Sequence, residues 1–247
     1  KSIILAGHSN SAANSVKSQN FLNASNTSSY KGDYWVIKLD SLGNKIWDKT
    51  IGGYDDDKLS GVIEINNSIY LLGSSKSDSS GSRNSINTSI SGKYDSWIVK
   101  LNSNGDLIWD KSIDINASST YPKHRYVKTS DDKIVGWLQG SLNKFKIDTN
   151  ANIVWNNASR TSNIYNIISV DTFLYYIGTT PNVTDDIHIG ILESSSKKIW
   201  SQEIIGIQND LGHCILSNKN NIIVGGVSNS DRGKDKTYNS KGWNDFW

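Results

Sequence analysis

The sequence predicts an all-β fold built from one repeated unit, and three observations predict it. Short runs of β-branched and aromatic residues, bounded by Ser, Asn, Gly and Asp, recur along all 247 residues. No window places apolar residues at the 3.6-residue spacing of an amphipathic helix. Four near-copies of one phrase end in tryptophan: Lys38 to Trp47, Lys100 to Trp109, Lys146 to Trp155 and Ile191 to Trp200. In each, an acid or amide (Asp40, Asn102, Asp148, Glu193) stands seven residues before the indole. The tryptophans themselves recur after 62, 46 and 45 residues. A fixed local spacing inside a variable long period marks one structural unit with elastic loops between its parts.

Each unit reads as four strands, A to D, in repeats at about 1–53, 54–113, 114–159, 160–204 and 205–247. The first repeat supplies strand B at Ile3–Gly7, strand C at Tyr34–Asp40 and a strand D through Trp47, without a strand A. The second is the best preserved, with strands at Gly61–Asn66, Ile69–Ser74, Ser96–Asn102 and Leu107–Ser112. Its A–B link at Asn66-Asn67-Ser68 and its C–D link at Ser103-Asn104-Gly105 have the residues of tight hairpins. The third offers Tyr126–Thr129, Ile134–Leu138 and Lys144–Asp148; the fourth offers Ile167–Val170, Leu174–Gly178 and Ile187–Glu193. The fifth gives Cys214–Ser217 and Ile222–Gly226 and stops within strand C at Asp245-Phe246-Trp247, a phrase shared with Asp33-Tyr34-Trp35 and Asp95-Ser96-Trp97.

One four-stranded sheet has two apolar faces and cannot bury both alone, whereas radial stacking of such sheets does. The expected architecture is therefore a β-propeller of four-stranded antiparallel blades. Residues 1–247 form a single propeller domain or fragment with four to five blades visible, the remainder of the ring lying outside this segment. Long polar inserts fall between strands B and C at about 9–31, 75–93 and 231–242. B–C and D–A loops share one rim in a propeller, so binding is expected there.

Bulk composition excludes several classes. Charge is balanced at net +2, from 26 basic and 24 acidic residues, with no like-charge cluster to track phosphates, so no nucleic acid is expected as partner. No apolar run is long enough for a transmembrane helix. A single cysteine, Cys214, allows no internal disulfide and no zinc-ligand set. The chain opens inside an apolar strand, contains no methionine and shows no sorting signal, which reads as a piece of a longer precursor.

The stretch from Gly32 through Asp33-Tyr34-Trp35, Trp47 and Gly53, continuing through Asp56-Asp57 and Ile69 to Gly73, resembles the repeats of secreted bacterial propellers common in Bacteroidota surface proteins. That resemblance implies an extracellular or cell-surface location. The Asp…Gly…Trp phrase is also similar to the tryptophan-docking motif of quinoprotein-type propellers. By that resemblance Trp47, Trp109, Trp155 and Trp200 are structural, each indole locking one blade to the next. Asn102 and Glu193 replace the usual Asp, and Ala151 and Ser196 replace the Gly, so the pattern is degenerate in the later blades.

Catalytic readings meet specific obstacles. The sialidase box sets Asp and Trp five apart, not seven, and the four arginines (Arg83, Arg125, Arg160, Arg232) are scattered. A quinoprotein dehydrogenase would bring a vicinal cysteine pair, which one cysteine cannot form. The four histidines (His8, His124, His188, His213) accompany no Gly-x-Ser-x-Gly elbow. No cofactor is expected; Asp55, Asp56 and Asp57 are the residues suited to a hard cation such as Ca2+. Asp57 follows Gly53 as Asp210 follows Gly206, a match that favours accepting backbone N–H bonds in the turn instead. The leading expectation is a non-enzymatic binding or adhesion scaffold whose loop-rich face meets a protein or a glycan. A lectin-like module is the alternative, with Tyr54, Asp55, Asp56, Tyr94, Tyr121 and Trp243 as candidate ligand contacts and Tyr30 and Tyr238 nearby. A hydrolase or oxidoreductase with its site outside the segment is the third reading.

Overall fold

The computed structural model describes residues 1–22, 31–88, 93–113, 124–138, 143–158, 163–180, 185–218, 221–242 and 245–247. Among these residues there is no helix, and eighteen strands form five antiparallel sheets. The first sheet contains β1 (Ile3–Ser9), β2 (Asp33–Leu39) and β3 (Lys45–Ile51). The second contains β4 (Asp57–Ile65), β5 (Ser68–Ser75), β6 (Asp95–Leu101) and β7 (Leu107–Ile113). The third runs through β8 (His124–Lys128), β9 (Ile134–Leu138), β10 (Asn143–Ile147) and β11 (Ile153–Ala158). The fourth holds β12 (Asn163–Val170), β13 (Phe173–Thr180), β14 (Asp186–Glu193) and β15 (Lys198–Ile204). The fifth has β16 (Asp210–Asn218), β17 (Asn221–Ser228) and β18 (Asp245–Phe246).

In every sheet the strands follow chain order, the antiparallel meander of a propeller blade. The fold is all-β with blade-type sheets, as the repeat pattern predicts. Among the described residues the first sheet has no strand A and the last no strand D. Contacts divide the chain into two compact units, Lys1–His124 and Arg125–Trp247.

Period-2 alternation decides what each sheet buries. In the first unit, Tyr34, Val36 and Ile51 of the first sheet meet Ile69, Leu71, Trp97, Val99 and Leu101 of the second. Ile4, Ala6, Leu59 and Val62 close the edges of that seam. Full burial of such side chains stabilises by ~1.5–3 kcal/mol each. The Tyr34 ring lies 4.8 Å from that of Trp97, and its hydroxyl donates to the Trp97 carbonyl at 3.3 Å. Gly73 makes room for it, since a Cβ there would fall 2.4 Å from the Tyr34 hydroxyl. In the second unit, Val135, Trp137, Ile164, Ile167, Leu174, Tyr176 and Leu192 form one core. Ile177, Ile187 and Ile215 form another, with Trp247 packed against it.

The seven-residue phrase is a five-residue turn followed by a bulge. Asp40 Oδ1 accepts the N–H groups of Leu42 and Asn44 at 2.8 and 2.9 Å. Asn102 Oδ1 does the same for Asn104 and Asp106, and Asp148 Oδ1 for Asn150 and Asn152. The turn needs one left-handed residue, which is Gly43, Gly105, Ala151 or Ser196. A register shift follows in each pairing, between Lys38 and Leu39, Lys100 and Leu101, Lys146 and Ile147, and Ile191 and Leu192.

The phrase-ending tryptophans differ in their surroundings. Trp47 Nε1 donates to the Ser103 carbonyl in the second sheet's C–D turn at 3.3 Å. Trp155 Nε1 donates to the equivalent Ser194 carbonyl of the fourth sheet at 2.7 Å. Trp109 is half-buried, edge-on to Tyr70 at 6.2 Å, with Lys100 and Lys111 near its ring. Trp200 is 43% exposed, so it is not enclosed between sheets as the repeat motif implies. The fifth sheet has no C–D turn among the described residues to receive it.

Candidate functional site: pinned inserts on the strand B rim

The B–C inserts are built on a device that recurs three times. Strand B ends in Gly-x-Ser-x-Ser at Gly7-Ser9-Ser11, Gly73-Ser75-Ser77 and Gly226-Ser228-Ser230. The first serine of each faces the aspartate that opens strand C: Ser9 with Asp33, Ser75 with Asp95, Ser228 with Asp245. Eight residues after that serine stands a buried cation, Lys17, Arg83 or Lys236. Lys17 Nζ donates to Ser9 Oγ at 3.2 Å and the Ser11 carbonyl at 2.9 Å. Lys236 Nζ repeats this on Ser228 Oγ at 3.0 Å and the Ser230 carbonyl at 2.5 Å.

Arg83 bonds Ser75 Oγ, pairs with Asp95 at 2.9 Å and reaches Ser112 Oγ at 2.5 Å. Burial raises the Asp95 carboxyl against the opposing pull of Arg83. A tight turn carries each cation inward. It is closed by Asn14 N–H on the Lys17 carbonyl, by Ser80 pairing with Arg83, and by Gly233 pairing with Lys236.

A second anchor follows the cation. Asp110 accepts the N–H groups of Asn84 and Ser85 at 3.0 and 2.9 Å, and the indole N–H of Trp97 at 3.0 Å. Asp48 plays this part in the first sheet, accepting Ser18 N–H at 2.9 Å, Trp35 Nε1 at 3.1 Å and Lys45 Nζ at 2.8 Å. Burial pushes both carboxyls up, but these donors outweigh it and hold both below the ordinary carboxylate range. Where strand C carries no Trp, in the third and fourth sheets, the insert, the cation and the anchoring Asp are all lacking from the sequence. Asn143 and His188 stand there instead, and burial lowers the His188 pKa.

The D–A turn is stitched to the same loops. Tyr54 N–H donates to Ser80 Oγ at 3.0 Å and Asp55 N–H to Ser77 Oγ at 2.9 Å. Gln208 N–H meets Ser230 Oγ at 2.8 Å in the same way. Asp57 accepts Gly53 N–H at 2.7 Å and Ser77 Oγ at 3.1 Å, and Asp210 accepts Ser230 Oγ at 3.1 Å. Burial raises Asp57 to about 7 and Asp33 to about 6. The two carboxyls face one another across Gly52, where a Cβ would lie 2.3 Å from one and 2.7 Å from the other.

The sequence-derived ligand residues separate on this frame. Tyr54 is exposed, its backbone fixed by Ser80. Asp55 pairs with Lys31 at 3.1 Å. Asp56 accepts the Gly32 N–H at 3.1 Å and pairs with Lys58 at 3.2 Å. Tyr94 corrects the expectation of an exposed contact: it is 1% exposed and bonds through its hydroxyl to Asp56, with Lys58 and Lys76 over its ring. Its ring turns inward because Asp56 offers the hydroxyl an acceptor. Tyr30, Tyr121 and Trp243 lie outside the described residues.

Asp55, Asp56 and Oδ2 of Asp57 thus serve internal donors, while Asp57 Oδ1 is buried without a hydrogen-bond partner from the described residues. Among the described residues, no group of three or more His, Cys, Asp or Glu side chains is arranged to hold a metal ion. Tyr238 is exposed beside a cavity of about 330 Å³ lined by Lys236, Thr237, Asn239, Lys241, Asp245, Phe246 and Trp247. Sequence reasoning missed the buried cations, although their fixed distance from the strand B serine is visible in the sequence.

No protein-family model matches the sequence, and no curated protein matches it. Solved structures with some likeness include a protein of unknown function from Bacteroides caccae, at TM-score 0.44 and 11% identity, over 83% of this chain and 68% of that one. A puromycin-hydrolyzing peptidase of Mycobacterium tuberculosis gives 0.42 and 10%, over 85% and 31%. The GH43 BlXynB protein of Bacillus licheniformis gives 0.40 and 10%, over 82% and 48%. This chain therefore spans about a third and a half of the latter two. At such scores the likeness carries no argument about function.

Proposed function

We propose that this chain is a non-enzymatic, extracellular or cell-surface propeller scaffold whose insert-bearing rim binds a protein partner. The observation that supports this is the repeated anchoring of the inserts by a buried cation, with a second Asp–Trp anchor in the first two sheets. Solvated decoration has no need of desolvated Lys and Arg side chains, which are costly to bury. A loop fixed in this way meets a partner with less ordering entropy to lose. Tyr54, exposed on a backbone tied to Ser80, is the side chain best placed to contact it.

A glycan is the second reading, favoured by the cavity where Tyr238, Asn239, Lys241 and Asp245 combine an aromatic face with hydrogen-bonding groups. Arrays of glycans and of extracellular proteins, probed with the purified chain, test both. Saturable protein binding weakened at least tenfold by Tyr54→Ala is expected. Glycan binding lost on Tyr238→Ala would favour the lectin, and turnover on glycoside or alcohol panels would overturn the non-enzymatic reading.

A further inference from the structure

Within the second compact unit, β9 and β10 of the third sheet pack on the fourth sheet, and that seam is built from different chemistry than the seam between the first two sheets. Strand register matches the positions. Lys144 stands two residues before the Lys146–Trp155 pair, as Val36 stands two before the Lys38–Trp47 pair. Lys144 pairs with Trp137 across the sheet as Val36 pairs with Ala6. On the facing sheet, His188 pairs with Gly178 as Trp97 pairs with Gly73, and Gly190 pairs with Tyr176 as Val99 pairs with Leu71. Val36, Leu71, Trp97 and Val99 belong to one apolar cluster in the first unit. Their counterparts are Lys144, Tyr176, His188 and Gly190, so polar groups occupy positions that are apolar in the other seam.

Three of these groups are buried without the partners they need. Lys144 is 8% exposed and has no ion pair or hydrogen bond among the described residues. Burial lowers its pKa, and no carboxylate offsets that. The other buried cations, Lys17, Arg83, Lys146 and Lys236, are all matched; Lys146 pairs with Asp131 at 3.0 Å. Nε1 of Trp137 and Nδ1 of His188 are buried with no hydrogen-bond partner among the described residues. Trp137 packs in one cluster with Tyr176, whose ring lies 5.4 Å from that of His188, so the three groups share one seam. Burial lowers the His188 pKa, Glu203 opposes it, and Lys198 and Lys144 add to it, which puts Lys144 within electrostatic reach of His188.

We propose that this seam holds a small monovalent anion, chloride in size and charge, ligated by the Lys144 ammonium, the Trp137 indole N–H and His188 with its proton on Nδ1. A buried ammonium without a counter-charge is strongly destabilising, and a buried donor without an acceptor adds to the cost. All three groups lack the same thing, an acceptor that carries negative charge. Water could accept from the two ring N–H groups but would leave the ammonium uncompensated. One charge matches one ammonium, and three single donors suit a spherical ion. Phosphate or sulfate would bring a second charge and call for the forked donors that an arginine supplies. Gly190 lets the Tyr176 ring close over the seam, since a Cβ there would fall 2.5 Å from its hydroxyl. The part of Lys144 that stays exposed leaves a small ion a way in.

Sodium chloride titrated against sodium gluconate at constant ionic strength tests this, with the thermal midpoint as readout. The unaltered protein is expected to show a saturable rise, ~3–5 °C at ten times the half-saturating chloride. Lys144→Met keeps the length of the side chain and removes its charge. Its midpoint in gluconate is expected to equal or exceed that of the unaltered protein, and its response to chloride to vanish. Trp137→Phe keeps an aromatic ring without the N–H, and its half-saturation is expected to rise about tenfold. Bromide soaked into crystals is expected to give an anomalous peak between Lys144, Trp137 and His188. A midpoint indifferent to chloride, a response that survives Lys144→Met, a half-saturation unmoved by Trp137→Phe, or bromide found only elsewhere would each overturn the proposal.

Discussion

Ser196 has φ of 70° and Ala151 of 59°, left-handed values that Gly43 and Gly105 hold in the corresponding turns. A side chain in that conformation costs ~1–2 kcal/mol relative to glycine, while glycine's extra freedom in the unfolded chain returns part of it. Ser196→Gly is therefore expected to stabilise the protein by ~0.5–1 kcal/mol, read as a higher urea midpoint at unchanged slope. The turn itself was legible from the constant distance between Asp40 and Trp47, because an Asx turn and a bulge leave no freedom in that count. The direction of a loop tyrosine was not legible. Tyr54 and Tyr94 look alike in sequence, and only the position of Asp56 sends one inward.

An insert as an element is decided by its anchors rather than by its composition. The Ser, Asn and Gly of residues 75–93 suggest a solvated loop, yet Arg83 and Asp110 hold it from two sides. Asp110→Ala would leave two backbone N–H groups and the Trp97 indole without their acceptor. We expect a loss of ~2–4 kcal/mol from unsatisfied buried donors, with limited proteolysis opening near Arg83. A loss under ~1 kcal/mol with unchanged protease resistance would show that the insert is held by other means. Strand positions, by contrast, were readable in every repeat because burial on a pleated sheet follows alternation. The ends of β4 and β16 extend beyond the predicted spans, to Asp57 and Asp210, where polar residues enter the ladder through serine partners.

Over the whole molecule, the seams between sheets set the balance of stability. Asp33 and Asp57 face each other between the first and second sheets with carboxyls raised to about 6 and about 7 by burial. Their unfolded values are ~3.9, so the fold favours the neutral carboxyls. The stability they lend is full below pH ~4 and is lost as pH rises through the folded values. Buried His124, depressed to about 4, has the opposite sense: its contribution is present above the unfolded histidine value and is lost on acidification. Comparing Asp57→Asn with the unaltered protein cancels the histidine. The variant is expected to gain ~1–3 kcal/mol in relative stability between pH 5 and pH 8, checked by denaturant unfolding across that range. A constant difference would mean that Asp57 is ionised throughout.

The sequence alone determined the blade unit: four strands, their order, the tight links and the truncated first and last sheets. Alternation, hairpin chemistry and the Asp-to-Trp count act over a few residues, so they survive without tertiary information. Only the tertiary structure decided which tryptophans find a partner carbonyl and that Lys17, Arg83 and Lys236 turn inward. The tryptophan partners depend on which side of one sheet another sheet covers, and the cations depend on how each insert folds back on its own sheet; neighbouring residues along a strand encode neither.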